Sequence, residues 1–96
     1  MYCKLHKIQN NIVLACCDNE LLGKSFRERG VEIKVSESFY GNVEISKDEA
    51  LRMLKEANSV NLLGNESVKL AIDEKIVSKS EVVKVAGLEH VVIIKV

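Results

Sequence analysis

The sequence predicts a single α+β domain in which two main helices cover one face of a mostly antiparallel sheet. Three observations predict this class. Apolar and polar residues alternate near the N-terminus and in residues 31–35, as in strands, and a helix-capping signal at Ser46 opens a helical stretch in the middle. The length of 96 residues suits one domain, 1–96, and is too short for two.

The first strand pair lies at the N-terminus. Residues Tyr2–Ile8 and Ile12–Cys17 predict two strands. The residues between them, 9–11, contain two asparagines, which tolerate the positive φ that a tight hairpin turn requires. A turn centred on these asparagines places Leu5 opposite Cys16.

The middle of the chain predicts a strand followed by two helices. Residues 31–35 alternate as in a strand with one wet face, and residues 43–45 predict a short strand. Ser46 begins a helix near 46–63, which Gly64 ends in the left-handed conformation. Asn65 then caps a second helix near 65–76.

The last strand pair lies at the C-terminus, with arms at 82–85 and 91–96 and a loop between them. Residues Val91–Ile94 are continuously apolar. Such a strand is usually covered on both faces, so we expect it in the centre of the sheet or in a subunit interface.

Composition limits the classes of function. The 14 basic residues balance the 14 acidic ones, so any nucleic-acid contact must use a local patch, and a membrane-surface role is disfavoured. No membrane-spanning or signal-peptide segment is evident. The three cysteines, Cys3, Cys16 and Cys17, are an odd number without zinc or redox spacing, so we expect reduced thiols in the cytoplasm.

A basic cluster follows the N-terminal hairpin and consists of Lys24, Arg27 and Arg29. Lys24 belongs to a Gly-Lys-Ser sequence, but this is not a phosphate-binding loop, because Asp18 stands where that loop needs its first glycine. The simpler interpretation of the cluster is a solvated helix face. The functional interpretation is a contact with an anion or a phosphate backbone, since side chains three residues apart on a helix point the same way.

The aromatic pair Phe39-Tyr40 is a second candidate contact. In a strand the two rings would point to opposite faces, so one would pack in the core and the other would be a surface anchor for a partner or a nucleobase.

Other chemistry has less support. Cys16 and Cys17 are candidate reactive thiols, although a buried cysteine is usually a small apolar residue. The second helix offers a possible anion site at Gly64 and Asn65, unless the Asn65 side chain caps it. We assign no metal site, because the two histidines lack ligand spacing, and we assign neither catalytic residues nor a cofactor.

Several short motifs occur in an order that resembles a known family. They are Cys17-Asp18, the run from Leu21 to Arg27, Phe39-Tyr40-Gly41, the run from Asn61 to Gly64, and Gly87 with His90. This set resembles the small archaeal family called domain of unknown function 424, which has no established activity to transfer. The resemblance implies an archaeal cytoplasmic protein with an association with translation.

Three hypotheses follow. The first is a non-catalytic binding module for the ribosome, RNA or a translation factor, in which the basic cluster and one exposed aromatic share a face. The second is a homodimeric interaction domain that uses the C-terminal strand. The third is a small enzyme with a thiol or anion site near Cys16–Asp18.

Overall fold

The computed structural model describes residues 1–95, which form a five-stranded sheet, a separate two-stranded ribbon and three helices. The bounds of the strands are β1 Tyr2–Ile8, β2 Asn11–Cys17, β3 Ser25–Glu28, β4 Val31–Lys34, β5 Ser59–Leu63, β6 Val83–Val85 and β7 Leu88–Ile94. The helices are α1 Glu37–Tyr40, α2 Lys47–Glu56 and α3 Asn65–Asp73, with short 3₁₀ turns at Asn19–Leu21 and Lys79–Glu81. No helix within residues 1–95 combines the length and the apolar character needed to cross a membrane.

The main sheet has the strand order β1-β2-β5-β7-β6. Strands β2 and β5 are parallel, and the other neighbours are antiparallel. The predicted α+β class with a mostly antiparallel sheet is confirmed. The C-terminal strand β7 lies inside the sheet, between β5 and β6, as its apolar run predicts. Val96, the last residue of the predicted arm, lies outside the described residues.

The predicted register of the N-terminal hairpin is wrong. Gln9 and Asn10 form the turn, with Gln9 at φ +57°, so that Cys16 pairs with Cys3 and Leu5 pairs with Leu14. This register places the two thiols directly opposite each other and buries both.

The first main helix begins as predicted and ends early. The Ser46 hydroxyl accepts a hydrogen bond from the Glu49 N–H at 3.2 Å, but α2 ends at Glu56 rather than near residue 63. Residues 59–63 form β5, because Ser, Val and Asn are weaker helix formers than the residues of α2 and the free edge of β2 offers a partner. Residues 43–45 form only an isolated bridge, between Glu44 and Tyr2.

The two faces of the sheet have different covers. Helices α2 and α3 pack on one face, as predicted, and bury Leu14, Val60 and Val91. The other face carries Ala15, Cys17 and Leu63 under the β3–β4 ribbon and α1. We call these the helix face and the ribbon face.

Candidate functional site

The ribbon covers only part of the ribbon face. Successive side chains of a strand point to opposite faces, so every second residue of β2, β5 and β7 lies on the ribbon face. At the end of the sheet away from Cys17 and Leu63, some of these side chains are exposed to solvent. Val92 is 56% exposed and Ile94 is 76% exposed. We call this uncovered area the open face, and it consists of Val13, Ser59, Asn61, Val92 and Ile94.

A polar cluster lies beside the open face. The Tyr40 hydroxyl donates to Asn61 Oδ1 at 3.0 Å, and His90 Nε2 lies 3.2 Å from the same oxygen. Burial raises the pKa of Tyr40 to about 12 and lowers the pKa of His90 below its ordinary value. His90 is therefore neutral at pH 7, and Nε2 carries the proton that it shares with Asn61. The cluster can offer the Asn61 amide N–H groups as donors and His90 Nδ1 as an acceptor.

Neither residue of the aromatic pair is a fully exposed surface anchor. Tyr40 is only 5% exposed and packs in the core, whereas Phe39 is half-buried. The Phe39 ring stacks on His6 with a centroid distance of 5.2 Å, and His6 Nε2 lies 2.7 Å from the Phe39 carbonyl oxygen. The pair lies in the one-turn helix α1 rather than in a strand, so the expectation of opposite faces does not apply.

The basic cluster lies on the ribbon, so the predicted helix at these residues is wrong. Residues Ser25–Glu28 form β3 because they can pair with β4, and Phe26 and Ile33 face the core from opposite strands. Arg27 therefore lies on the outer side, where its guanidinium contacts Glu32 at 3.3 Å. Arg29 lies in the tight turn at φ +51° and is exposed.

The neighbouring thiols face opposite sides of the sheet, and both are buried. Cys16 Sγ donates to Cys3 Sγ at 2.6 Å. This hydrogen bond, together with burial, raises the pKa of Cys16, and burial raises the pKa of Cys17 to about 12. Neither group is a thiolate at neutral pH, so the geometry does not favour a nucleophile at Cys16 or Cys17.

The N-terminus of α3 already holds an anion from within the chain. Asp18 is 2% exposed, and its carboxylate accepts hydrogen bonds from the N–H of Glu66 at 3.0 Å and the N–H of Ser67 at 2.8 Å. The Ser67 hydroxyl donates to the same carboxylate at 2.9 Å. The predicted anion site at Gly64 and Asn65 is thus occupied by Asp18, and the predicted cap by Asn65 is wrong.

Gly64 is required by this carboxylate. A Cβ at position 64 would lie 2.4 Å from Asp18 Cγ, and the backbone has φ +106°. Sequence reasoning placed Gly64 at a helix C-terminus, whereas it joins β5 to the start of α3. The only available signal was an acidic residue directly after a strand.

The fold and the site define a small α+β domain in which a two-stranded ribbon packs on part of one sheet face. Within residues 1–95, no group of three side chains is suited to bind a metal. The chain belongs to the family described as Protein of unknown function (DUF424), whose family model matches residues 6–96. This result confirms the family predicted from the ordered motifs.

One solved structure shares the fold, the crystal structure of an uncharacterized conserved protein from Methanopyrus kandleri. Its TM-score is 0.83 at 24% sequence identity, over 99% of this chain and 92% of that chain. None of the curated proteins that were compared matches the chain.

Proposed function

We propose that this protein is a non-catalytic binding module that contacts RNA in a ribonucleoprotein through the β3–β4 ribbon. The observation that carries the proposal is the exposure of Lys24, Arg29 and Lys34 on this ribbon. Residues 24–34 contain four basic and two acidic residues, a net charge of +2, in a chain with 14 of each. The positive charge is therefore local, as the neutral composition requires.

The geometry of the ribbon suits a phosphate backbone. Contacts to RNA phosphates need only an exposed polar surface and do not require entry into the deep, narrow major groove of an RNA helix. Because Ser25 pairs with Lys34 and Arg27 pairs with Glu32, these side chains share the outer side of the ribbon. The apolar side, with Phe26 and Ile33, holds the ribbon against the sheet.

The ion pair between Arg27 and Glu32 does not remove Arg27 from this surface. The two side chains are 73% and 39% exposed, and exposed ion pairs contribute only about 0–1 kcal/mol. A phosphate oxygen can therefore replace the Glu32 carboxylate at small cost. Phe39 packs against the core of the ribbon face, where its ring stacks on His6, and it is not part of the proposed contact.

The resemblance stated above supports an archaeal, cytoplasmic setting and a partner in translation. A ribosome presents many closely spaced phosphates, which suit a small module with few basic groups. We therefore propose ribosomal RNA as the partner. The alternative partner is a translation factor that consists of protein alone, and the experiment below distinguishes the two.

The test is co-sedimentation of the purified protein with archaeal ribosomal subunits at low and high salt. We expect the wild type to travel with a subunit at low salt and to leave it as salt rises. The variant with Lys24, Arg29 and Lys34 all changed to Gln should lose this binding. On labelled single-stranded RNA each lost phosphate contact should reduce the salt slope by about 0.7.

Two matched variants control for charge. Changing Lys47, Lys55 and Lys79 to Gln removes the same charge from other exposed positions and should leave binding intact. Glu32→Gln frees Arg27 and should strengthen binding. Equal losses in both triple variants, or subunit binding that ignores salt, would count against the ribbon as an RNA contact.

A further inference from the structure

We propose that Cys3 and Cys16 are a redox-active site, at which a small-molecule disulfide oxidises the two thiols to a disulfide bond between β1 and β2. We call these two residues the thiol pair, and the structure shows its reduced form. The thiol pair lies on the helix face of the sheet, away from the ribbon, so its oxidation is independent of RNA binding.

The register of the N-terminal hairpin places Cys3 directly opposite Cys16. Opposed residues of antiparallel strands alternate between pairs that exchange backbone hydrogen bonds and closer pairs that do not. The backbone of Ile12 points away from β1, because its N–H donates to the Asn58 side chain and its carbonyl accepts from the Asn58 N–H. The backbone of Cys16, four residues later on the same strand, points the same way. Cys3 and Cys16 are therefore one of the closer, non-hydrogen-bonded pairs.

A pair of this kind has the spacing that a disulfide requires. The Cα atoms of such pairs lie about 4.5 Å apart, and disulfides join residues whose Cα atoms are about 4.4–6.8 Å apart. The Sγ atoms of Cys3 and Cys16 face each other at 2.6 Å among the apolar side chains of the helix face. A bond between the two sulfur atoms therefore requires no change of strand register.

The two thiols differ in reactivity. The hydrogen bond that Cys16 donates lowers the pKa of Cys3, whereas the same hydrogen bond and burial raise the pKa of Cys16. Cys3 also lies on the edge strand β1, where it is 6% exposed, against 1% for Cys16 on β2. An edge strand opens locally at a lower cost in free energy than the interior does, so Cys3 is the thiol that reacts first with an external reagent.

Oxidation proceeds by two thiol–disulfide exchanges. The Cys3 thiolate attacks one sulfur of the small disulfide RSSR, so that a bond from Cys3 Sγ to SR forms, the S–S bond of RSSR breaks and one RS⁻ leaves. Cys16 then loses its proton, attacks Cys3 Sγ and displaces the second RS⁻. Two electrons pass from the cysteines to RSSR, and the two leaving thiolates take up the protons that Cys3 and Cys16 lost.

Cys17 is an internal reference for the thiol pair. It follows Cys16 directly, but it faces the ribbon side of the sheet, at the position opposite Tyr2. Because neighbouring side chains of an extended strand point to opposite faces, a bond between Cys16 and Cys17 would require β2 to distort. We therefore expect Cys17 to keep its thiol when the thiol pair is oxidised.

Peptide mapping after incubation with oxidised glutathione tests the assignment. Trypsin cleaves after lysine, so it separates residues 1–4 from residues 8–24, and the proposed bond joins these two peptides. We expect the linked peptides from the wild type and from the matched control Cys17→Ser, in which only Cys3 and Cys16 can form a bond. Cys3→Ser should give no linked peptides, and circular dichroism shows that each variant is folded.

A glutathione redox buffer measures how strongly the fold favours the bond. Since the hairpin holds the two thiols together, the equilibrium constant for the disulfide should be about a hundredfold larger in the folded protein than in urea. Equilibrium is approached from the reduced, folded protein and from protein that is refolded out of urea in the same buffer. Slow access to buried thiols then does not affect the result.

Three results would overturn the assignment. They are thiols that stay free from both starting points, a bond between Cys16 and Cys17, and equal equilibrium constants in the folded and the unfolded chain. Because the thiol pair and the ribbon lie on opposite faces of the sheet, none of these results depends on whether the ribbon binds RNA.

Discussion

The two faces of the sheet bury similar kinds of side chains but differ in how completely they are covered. On the helix face, α2 and α3 cover the strands from β2 to β7 and bury Val60 to 1% exposure. On the ribbon face, the cover extends over Ala15, Cys17 and Leu63 but not over Val92, which remains 56% exposed. The difference indicates that burial on the helix face contributes most to the stability, whereas part of the ribbon face leaves apolar side chains in contact with solvent.

The largest effect should come from the glycine that joins the sheet to α3. Gly64→Ala places a methyl group against the Asp18 carboxylate at a backbone φ of +106°, so we expect a loss of about 3 kcal/mol or more in the free energy of unfolding. The control is Gly23→Ala, where the sheet leads into the ribbon at φ +81° with no atom within 4 Å of the new Cβ. It should cost only about 1 kcal/mol. Urea denaturation measures both, and equal losses would remove the difference between the two junctions.

A smaller effect should come from one valine on each face. Val60→Ala removes packed methyl groups from the helix face and should lower the free energy of unfolding by about 2–3 kcal/mol. Val92→Ala, on the open face, should change it by less than about 0.5 kcal/mol. The measurement is urea denaturation at a protein concentration low enough to keep the chain monomeric. A cost at Val92 as large as at Val60 would mean that the open face is packed within the monomer.

The smallest effect should be a pH dependence from His90. Burial lowers the pKa of His90 from its ordinary value of 6.5, so the unfolded chain binds this proton at a higher pH than the folded chain does. The contribution is therefore fully present above about pH 6.5 and decreases as the pH falls towards the folded-state pKa. Since His90 is only half-buried, the slope should be a fraction of the roughly 1.4 kcal/mol per pH unit of one fully linked proton. Unfolding of the wild type and of His90→Gln, compared between neutral and mildly acidic pH, measures this difference. Parallel pH profiles would show that burial of His90 is not linked to folding.

Local signals were enough to locate the elements that have a local cause, but they did not give the register of the N-terminal hairpin. The Ser46 hydroxyl caps the residue three positions later, and the two terminal hairpins pair residues that are close in sequence. Strand β5 was missed because Val60 fits both the helical stripe of α2 and the alternation of a strand. Only the unpaired edge of β2, far away in sequence, decides between them.

The polar sites were harder to predict because their partners are distant. Asp18 caps a helix that begins at Asn65, and no local pattern connects the two. The cluster of Tyr40, Asn61 and His90 unites three separate motifs of the chain on one face. Sequence reasoning found the basic residues of the ribbon, but it assigned them to a helix because β3 is short and only Phe26 of this strand faces the core.

The parallel pairing of β2 with β5 has a consequence for the order of folding during synthesis. The β1–β2 hairpin emerges first, but the inner edge of β2 has no strand to pair with until Ser59–Leu63 has been made. The carboxylate of Asp18 likewise waits for the amides of Glu66 and Ser67. Contacts of such long sequence separation form slowly, so the nascent chain carries an unpaired strand edge until the second half of the protein arrives.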